Sequence, residues 1–434
     1  MKKQLLLLLL IVFQFIPGVS QNLEDLLFEL PDVIFKEIKT NDGYLQTYEL
    51  KIKQPIDHSE PANGYFYQKV YLSHKGFEQP TVIVTQGYDR NNNSIYEISK
   101  LLDANQIDVE HRYFGDSKPD SLDYDYLNLK QVSADLHHIN QLFKKIYKKK
   151  WISTGISKGG ATTVFYRFFY PDDVDLSVAY VAPINNAYED ERIYKFLNTT
   201  DSDVCRNNIT SFQRQLLENR DKLLPLLNYY SKGAGTKYTY LSIDEAFEYA
   251  VLEYSFSFWQ SGISCDDIPE NTDSLNELLD HFIAVSNITF FGDATIAKYG
   301  SHYYQAAEEM GYYGYETDNF KDLLIALPIK PYPHATFIPN KIPVEFDDSL
   351  LKSLNKWLKS NTNKIIYING AVDTWSSTAV PPSKNENSLW FFMEGKHHYN
   401  ARIRNMDKQD YDKIVNTLEN WLSLTIDTQL ESTE

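Results

Sequence analysis

The sequence predicts an α/β fold, built on a mostly parallel β-sheet covered on both faces and interrupted by an inserted, mainly helical block. Three observations carry this expectation. Short β-branched or aromatic runs alternate with helix-spaced apolar runs from Thr81 to about residue 188, strand runs become few between about Glu189 and Pro339, and the alternation returns after residue 340. Strands separated by helical crossovers pair in parallel and must be covered on both sides, whereas an insertion leaves the sheet and rejoins it. With 434 residues, 43% of them hydrophobic, the chain can build one large domain with an insert, or two domains.

The elements follow in order. MKKQLLLLLLIVFQFIPGVSQ places two lysines before an apolar run, Leu5 to Ile16, and ends on Gly18 and Ser20 around Val19. That is the pattern of an export signal, residues 1–20, cleaved after Ser20, and it predicts a secreted or periplasmic protein. The run is too short to span a bilayer comfortably, and no later stretch is long and apolar enough, so no membrane association is expected after signal removal. Residues 21–188 then form the first part of the core. GYLQTYELKIKQPIDH and GYFYQKVYLSHKG alternate apolar and polar residues across a turn containing Pro and Gly, which predicts antiparallel strands. Thr81 to Tyr88 and Ile107 to Gly115 read as further strands that end near glycine, with a helix-compatible stretch between them. Val132 to Tyr147 places Leu136, Ile139, Leu142, Phe143 and Ile146 at helical spacing; Trp151 to Ile156 is strand-like, Ala161 to Phe169 helical, and LSVAYVAPIN a buried strand. Residues 189–339 are the helical insertion, a cap. Residues 340–434 complete the core with LLKSLNKWLK, KIIYINGAVD, SLWFFMEGKHH and a last helix, YDKIVNTLENWLSL.

Composition narrows the function. The net charge of −17, with no basic cluster beyond Lys148, Lys149 and Lys150, argues against nucleic-acid binding. There is no CxxC and no HExxH, so neither a catalytic metal nor another cofactor is expected. The two cysteines, Cys205 and Cys265, both fall in the insertion, and an exported protein could join them. Sequons at Asn198, Asn208 and Asn287 matter only in a glycosylating host.

Gly155-Ile156-Ser157-Lys158-Gly159, followed by Gly160, fits G-x-S-x-G. The pentapeptide alone is a weak signal, but here it follows a predicted strand and opens a predicted helix, as a nucleophile on a sharp turn requires. A hydroxyl near neutral pH attacks poorly until a base takes its proton, and the base needs an acid to fix its tautomer. In the chain order serine, acid, histidine, Asp373 stands just after the strand KIIYING, and His397 and His398 stand at the end of the next one. One histidine of the pair should face the serine. An oxyanion hole would take one main-chain N–H from Lys158 and one from Gly87 or Tyr88 in TQGY. The Lys158 side chain, adjacent to the serine, should point elsewhere and is not expected to be the base.

VEHRYFGDSKP (Val109 to Pro119), GISKGG (Gly155 to Gly160), NGAVDTWS (Asn369 to Ser376) and GKHH (Gly395 to His398) together resemble the secreted tripeptidyl aminopeptidases of bacterial type. More distantly, they resemble lysosomal Pro-X carboxypeptidase and dipeptidyl peptidase II. The likeness runs from about Gly43 to Leu424. It implies an α/β-hydrolase core under a helical cap and exopeptidase cleavage of an oligopeptide. Transferred residue by residue, it puts the nucleophile at Ser157, the acid at Asp373 and the base at His397, with His398 as the alternative. It also gives His111, Arg112, Gly115 and Ser117 a bracing role. Glu110 is a candidate for the substrate amine, Trp259 and Trp375 for the pocket wall, and cap carboxylates for a free N-terminus. Two other readings compete with this one, an esterase or lipase on the same fold and a non-catalytic, hydrolase-like binding protein.

Overall fold

The computed structural model describes residues 22–269, 274–328, 330–361, 364–383 and 387–427. The leader expected at residues 1–20 lies outside them. Among the described residues, nine strands form one sheet in the order β1-β2-β3-β5-β4-β6-β7-β8-β9. At one edge, β1 (Val33–Glu37), β2 (Gln46–Pro55) and β3 (Tyr65–His74) pair antiparallel, with β2 and β3 in register from Gln46 opposite His74 to Pro55 opposite Tyr65. Strand β3 is also antiparallel to β5 (Asn105–Val109). From β5 the ladder is parallel through β4 (Thr81–Thr85), β6 (Trp151–Ile156), β7 (Leu176–Tyr180), β8 (Ile365–Gly370) and β9 (Ser388–Met393). Every residue of β4, β5, β7 and β8 is buried, the signature of strands covered on both faces. The architecture is that of an α/β hydrolase.

Helices α1 (Leu23–Phe28), α2 (Glu97–Leu101), α3 (Leu129–Phe143) and α4 (Lys158–Phe169) accompany the first seven strands. α3 starts three residues before the apolar pattern does because the Asn128 side chain accepts the Gln131 N–H, a cap that needs no apolar residue. α4 starts at Lys158 rather than Ala161, directly after the serine. Between β7 and β8 come α5 (Glu191–Thr199), α6 (Asp203–Glu218), α7 (Arg220–Gly233), α8 (Ile243–Ser261), α9 (Leu275–Val285), α10 (Asp293–Gln305), α11 (Pro333–Thr336) and α12 (Ser349–Asn361). Phe247, Tyr254 and Phe282 belong to the aromatic core of this block, which Trp375 enters from the loop after β8. Cys205 on α6 and Cys265, just past α8, form a disulfide with Cα atoms 5.5 Å apart. α12 returns to the sheet, where Leu351, Leu354 and Leu358 join Val164 and Phe165 of α4. α13 (Lys408–Leu422) closes the chain's last βα unit. Among the described residues no helix is long and apolar enough to cross a membrane.

The strand expected to run on to Gly115 stops at Val109. Tyr113 and Gly115 take positive φ, 65° and 49°, which no strand accommodates. The Glu110 carboxylate closes the loop instead, accepting the N–H groups of Arg90, Asp116 and Ser117 and the Ser117 hydroxyl. Arg112, fully buried, makes a two-pronged contact with Asp135 of α3 at 2.7 and 2.8 Å and donates to the carbonyls of Pro55, Ile56 and Tyr126. One guanidinium thus ties the end of β2 to α3 and to the loop after β5. Removing Arg112 leaves the buried Asp135 carboxylate with only His58, at 2.7 Å, beside it. Arg112→Leu is expected to lower unfolding free energy by about 3–5 kcal/mol in chemical denaturation; a loss under about 1 kcal/mol would contradict the bracing role.

Candidate active site

Strand β6 delivers Ser157 to the start of α4 at φ 58° and ψ −127°, a conformation that costs a non-glycine residue about 1–3 kcal/mol. Its N–H is held by the Tyr180 carbonyl of β7, and its carbonyl accepts from Ala161 within α4. The glycines are needed because α4 begins pressed against two strands. A Cβ on Gly159 would lie 2.5 Å from the Thr85 carbonyl of β4, one on Gly160 would lie 2.7 Å from the Tyr180 carbonyl, and one on Gly155 would overlap the Gly159 carbonyl. Local crowding therefore sets the motif, and Ser157 stands at the carboxyl edge of the sheet.

Asp373 sits three residues past β8, fully buried, and its carboxylate has three partners. It accepts the Trp375 N–H at 3.1 Å, the Ser376 hydroxyl at 3.4 Å and the His398 Nδ1–H at 2.8 Å. His398 and Ser157 line the same cavity. The imidazole that meets Asp373 is therefore that of His398 and not that of His397, the residue expected there. The His397 ring packs on Gly262, the left-handed residue ending α8, where a Cβ would come within 2.5 Å of the ring. Its Nδ1 receives the Tyr399 N–H at 3.4 Å rather than facing Asp373. The adjacent residues turn oppositely, so spacing alone could not separate them. Arg402 steadies the chosen imidazole by donating to the His398 carbonyl at 3.2 Å.

The oxyanion candidates converge on the same corner. Tyr88 and Lys158 both line the cavity with Ser157, and Gly87 lies so close to α4 that a Cβ there would be 2.6 Å from Lys158 Cβ and 2.9 Å from Gly159 N. The Lys158 N–H is in the first turn of α4, where no intrahelical acceptor exists. Its side chain is 2% exposed and does point elsewhere, donating through Nζ to the Gly87 carbonyl and to Gln305 Oε1.

The cavity encloses about 570 Å³ between the sheet edge and the helical block. Phe256, Tyr312, Tyr313 and Trp375 form an aromatic wall, with Trp375 4.9 Å from Phe256 and 5.6 Å from Tyr313 between ring centroids. Trp375 therefore borders this cavity. Trp259 does not: it is buried against Phe258 and borders a separate small cavity beside α6. Glu110 does not border it either: it is fully buried with its oxygens taken by the loop described above.

Sequence reasoning missed Glu253 of α8, the carboxylate in this wall. It accepts the hydroxyls of Tyr315 at 2.6 Å, Tyr313 at 2.9 Å and Ser257 at 3.2 Å, and among the described residues no cation pairs with it. Loss of solvent pushes its carboxyl up to about 7, against the pull of those hydroxyls. Its available signal was an acid within the apolar run AVLEYSFSFW.

Residues 18–392 match the family described as PS-10 peptidase S37. The chain is 32% identical over 394 residues to the prolyl tri/tetrapeptidyl aminopeptidase of Streptomyces mobaraensis, covering 88% of this chain and 81% of that one. It is 24% identical to prolyl carboxy peptidase like protein 5 of Caenorhabditis elegans, over 88% of this chain and 89% of that relative. Among solved structures, the proline iminopeptidase of Mycobacterium smegmatis aligns at 11% identity with a TM-score of 0.36, covering 86% of this chain and 97% of that one. The chain belongs to the peptidase S37 family and is a serine peptidase.

Proposed function

We propose that this peptidase is an exported exopeptidase that releases short peptides, tripeptides foremost, from the free N-termini of oligopeptides through an acyl-enzyme. The observation that carries the reading is Glu253: a carboxylate without a cation, in the wall of the cavity that Ser157 and His398 also line. An incoming α-ammonium is the partner that such a group lacks, since a buried carboxylate is ionised cheaply only beside a positive charge. The leader supports export, and the relative named for tri- and tetrapeptidyl release supports the product length. On this reading residues 189–339 are a cap that closes over a core made of residues 21–188 and 340–434.

The chemistry follows from the assigned roles. His398, with its Nδ1–H on Asp373, takes the Ser157 proton at Nε2 as Oγ attacks the scissile carbonyl. The oxyanion takes the N–H of Lys158 and that of Tyr88, beside Gly87. As the C–N bond breaks, His398 returns the proton to the leaving amine. Water then adds to the ester, again losing its proton to His398, and the peptide is released with Ser157 restored. The aromatic wall around Trp375 offers flat apolar faces that suit proline.

Product masses from a mixed peptide library test the function directly. Tripeptides from free N-termini are expected, none from acetylated copies, and none with Ser157→Ala; release from acetylated peptides or single amino acids as products would refute it. His398→Ala and Asp373→Asn should each lower turnover by about 10³-fold or more, and His397→Ala by less than tenfold. Equal losses for the two histidines would contradict the assignment of the base.

Glu253→Gln should erase most of the preference for free over acetylated N-termini, a change of about 10²-fold. Its effect on stability has a definite sign. The folded carboxyl titrates near 7, above its unfolded value, so the neutral form favours folding below about pH 4.5 and that contribution is lost as pH rises through 7. The glutamine variant should therefore melt about 2–4 °C higher than the parent at pH 8 and alike at pH 4.5. A lower Tm at pH 8 would count against a carboxylate held at a cost for binding.

A further inference from the structure

We propose that the buried side chain of Lys158 is a positioning residue for the oxyanion hole: its bond to the Gly87 carbonyl fixes the Gly87–Tyr88 peptide plane and so aims the Tyr88 N–H. The proposal rests on the reading above in which that N–H serves the oxyanion.

Lys158 Nζ meets three acceptors. It lies 2.7 Å from Gln305 Oε1, 2.8 Å from the Gly87 carbonyl and 3.4 Å from His111 Nε2. The His111 ring has Nδ1 2.8 Å from the Arg112 carbonyl, which can only accept, so Nδ1 carries the proton and Nε2 is free to accept from the amine. Burial, and the neighbouring Lys158, hold that imidazole well below its usual range and therefore neutral. Gln305, at the end of α10, and His111, in the loop braced by Arg112, thus hold the amine from two sides. The rings of Phe114 and Tyr88 lie 4.9 and 5.4 Å from Nζ.

The peptide geometry carries the consequence. In a trans peptide the carbonyl and the following N–H point in opposite directions, and the chain contains no cis peptide among the described residues. With the Gly87 carbonyl tied to Nζ, the Tyr88 N–H is directed away from the amine, and Tyr88 borders the cavity that holds Ser157. Donation to the carbonyl also polarises the same amide and strengthens its N–H as a donor. Lys158 therefore governs both oxyanion groups, one through its own main chain and the other through its side chain. Burial pulls its ammonium well below the usual lysine range, with Glu309 opposing, so this amine is retained against a desolvation cost.

The test uses Lys158→Met, which keeps the aliphatic stem, together with Lys158→Gln, which keeps a donor and serves if the first fails to fold. A tripeptidyl boronic acid, which forms a tetrahedral adduct on a serine, is compared with the tripeptide product, which does not. The expected result is a 10- to 100-fold fall in kcat/KM for Lys158→Met, carried by kcat with KM within threefold. Boronate affinity should fall in proportion, product affinity should stay within threefold, and Lys158→Gln should be intermediate. An unchanged kcat/KM, or equal losses of boronate and product affinity, would overturn the proposal. If the parent itself binds boronate no tighter than product, the acyl-enzyme reading fails first, and the two failures are thereby told apart.

Discussion

The sheet can present Ser157 at its carboxyl edge only because three glycines let a helix start in contact with two strands. The carbonyls of Thr85 and Tyr180 occupy the space where side chains at Gly159 and Gly160 would go, and Gly155 is pressed against Gly159. That compression holds Ser157 at a positive φ and lifts it out of the strand line. It also brings Gly87 against the first residue of α4, in the corner proposed for the oxyanion. The strain is tolerable because fully buried parallel strands on either side give the backbone nowhere else to go.

The other half of the site depends on the helical block gripping the sheet's later loops. The Thr374 hydroxyl donates to the Phe256 carbonyl of α8, one residue from Asp373, and the His398 N–H donates to the Gln260 carbonyl near the end of the same helix. The loops that carry Asp373 and His398 are thus both registered against α8, the helix that carries Glu253. A single helix sets the distance between the group proposed to hold a substrate's amine and the groups proposed to act on its carbonyl. For the proposed exopeptidase such coupling would act as a fixed ruler, stiffened by aromatic packing in which Phe256 stacks on Tyr313 at 4.2 Å.

Much of this was legible in the sequence, for identifiable reasons. The parallel strands carry short β-branched or aromatic runs, the β2–β3 pair alternates in sequence, and the serine motif lies at a strand end, so local patterns located each. β1 escaped because VIFKE is short and its burial does not alternate cleanly. Orientation was the harder matter. Whether His397 or His398 meets Asp373 depends on the docking of the loop onto Gly262, a contact between residues 135 positions apart. Glu110 and Glu253 look alike in sequence, each an acid beside apolar residues, yet one is saturated by its own loop and the other faces a cavity. The Lys158 side chain was expected to point away from Ser157, but nothing local foretold that Gln305 and His111 would meet it.

One cavity is proposed to join a strained serine to a receptor for a free N-terminus. A tripeptidyl phosphonate ester with a free amine, and its acetylated twin, measure both ends at once through the rate and site of covalent labelling. Rapid phosphonylation of Ser157 by the free-amine reagent is expected, with labelling by the acetylated reagent about 10²-fold slower. Modification of any other residue, or equal rates for the two reagents, would contradict it.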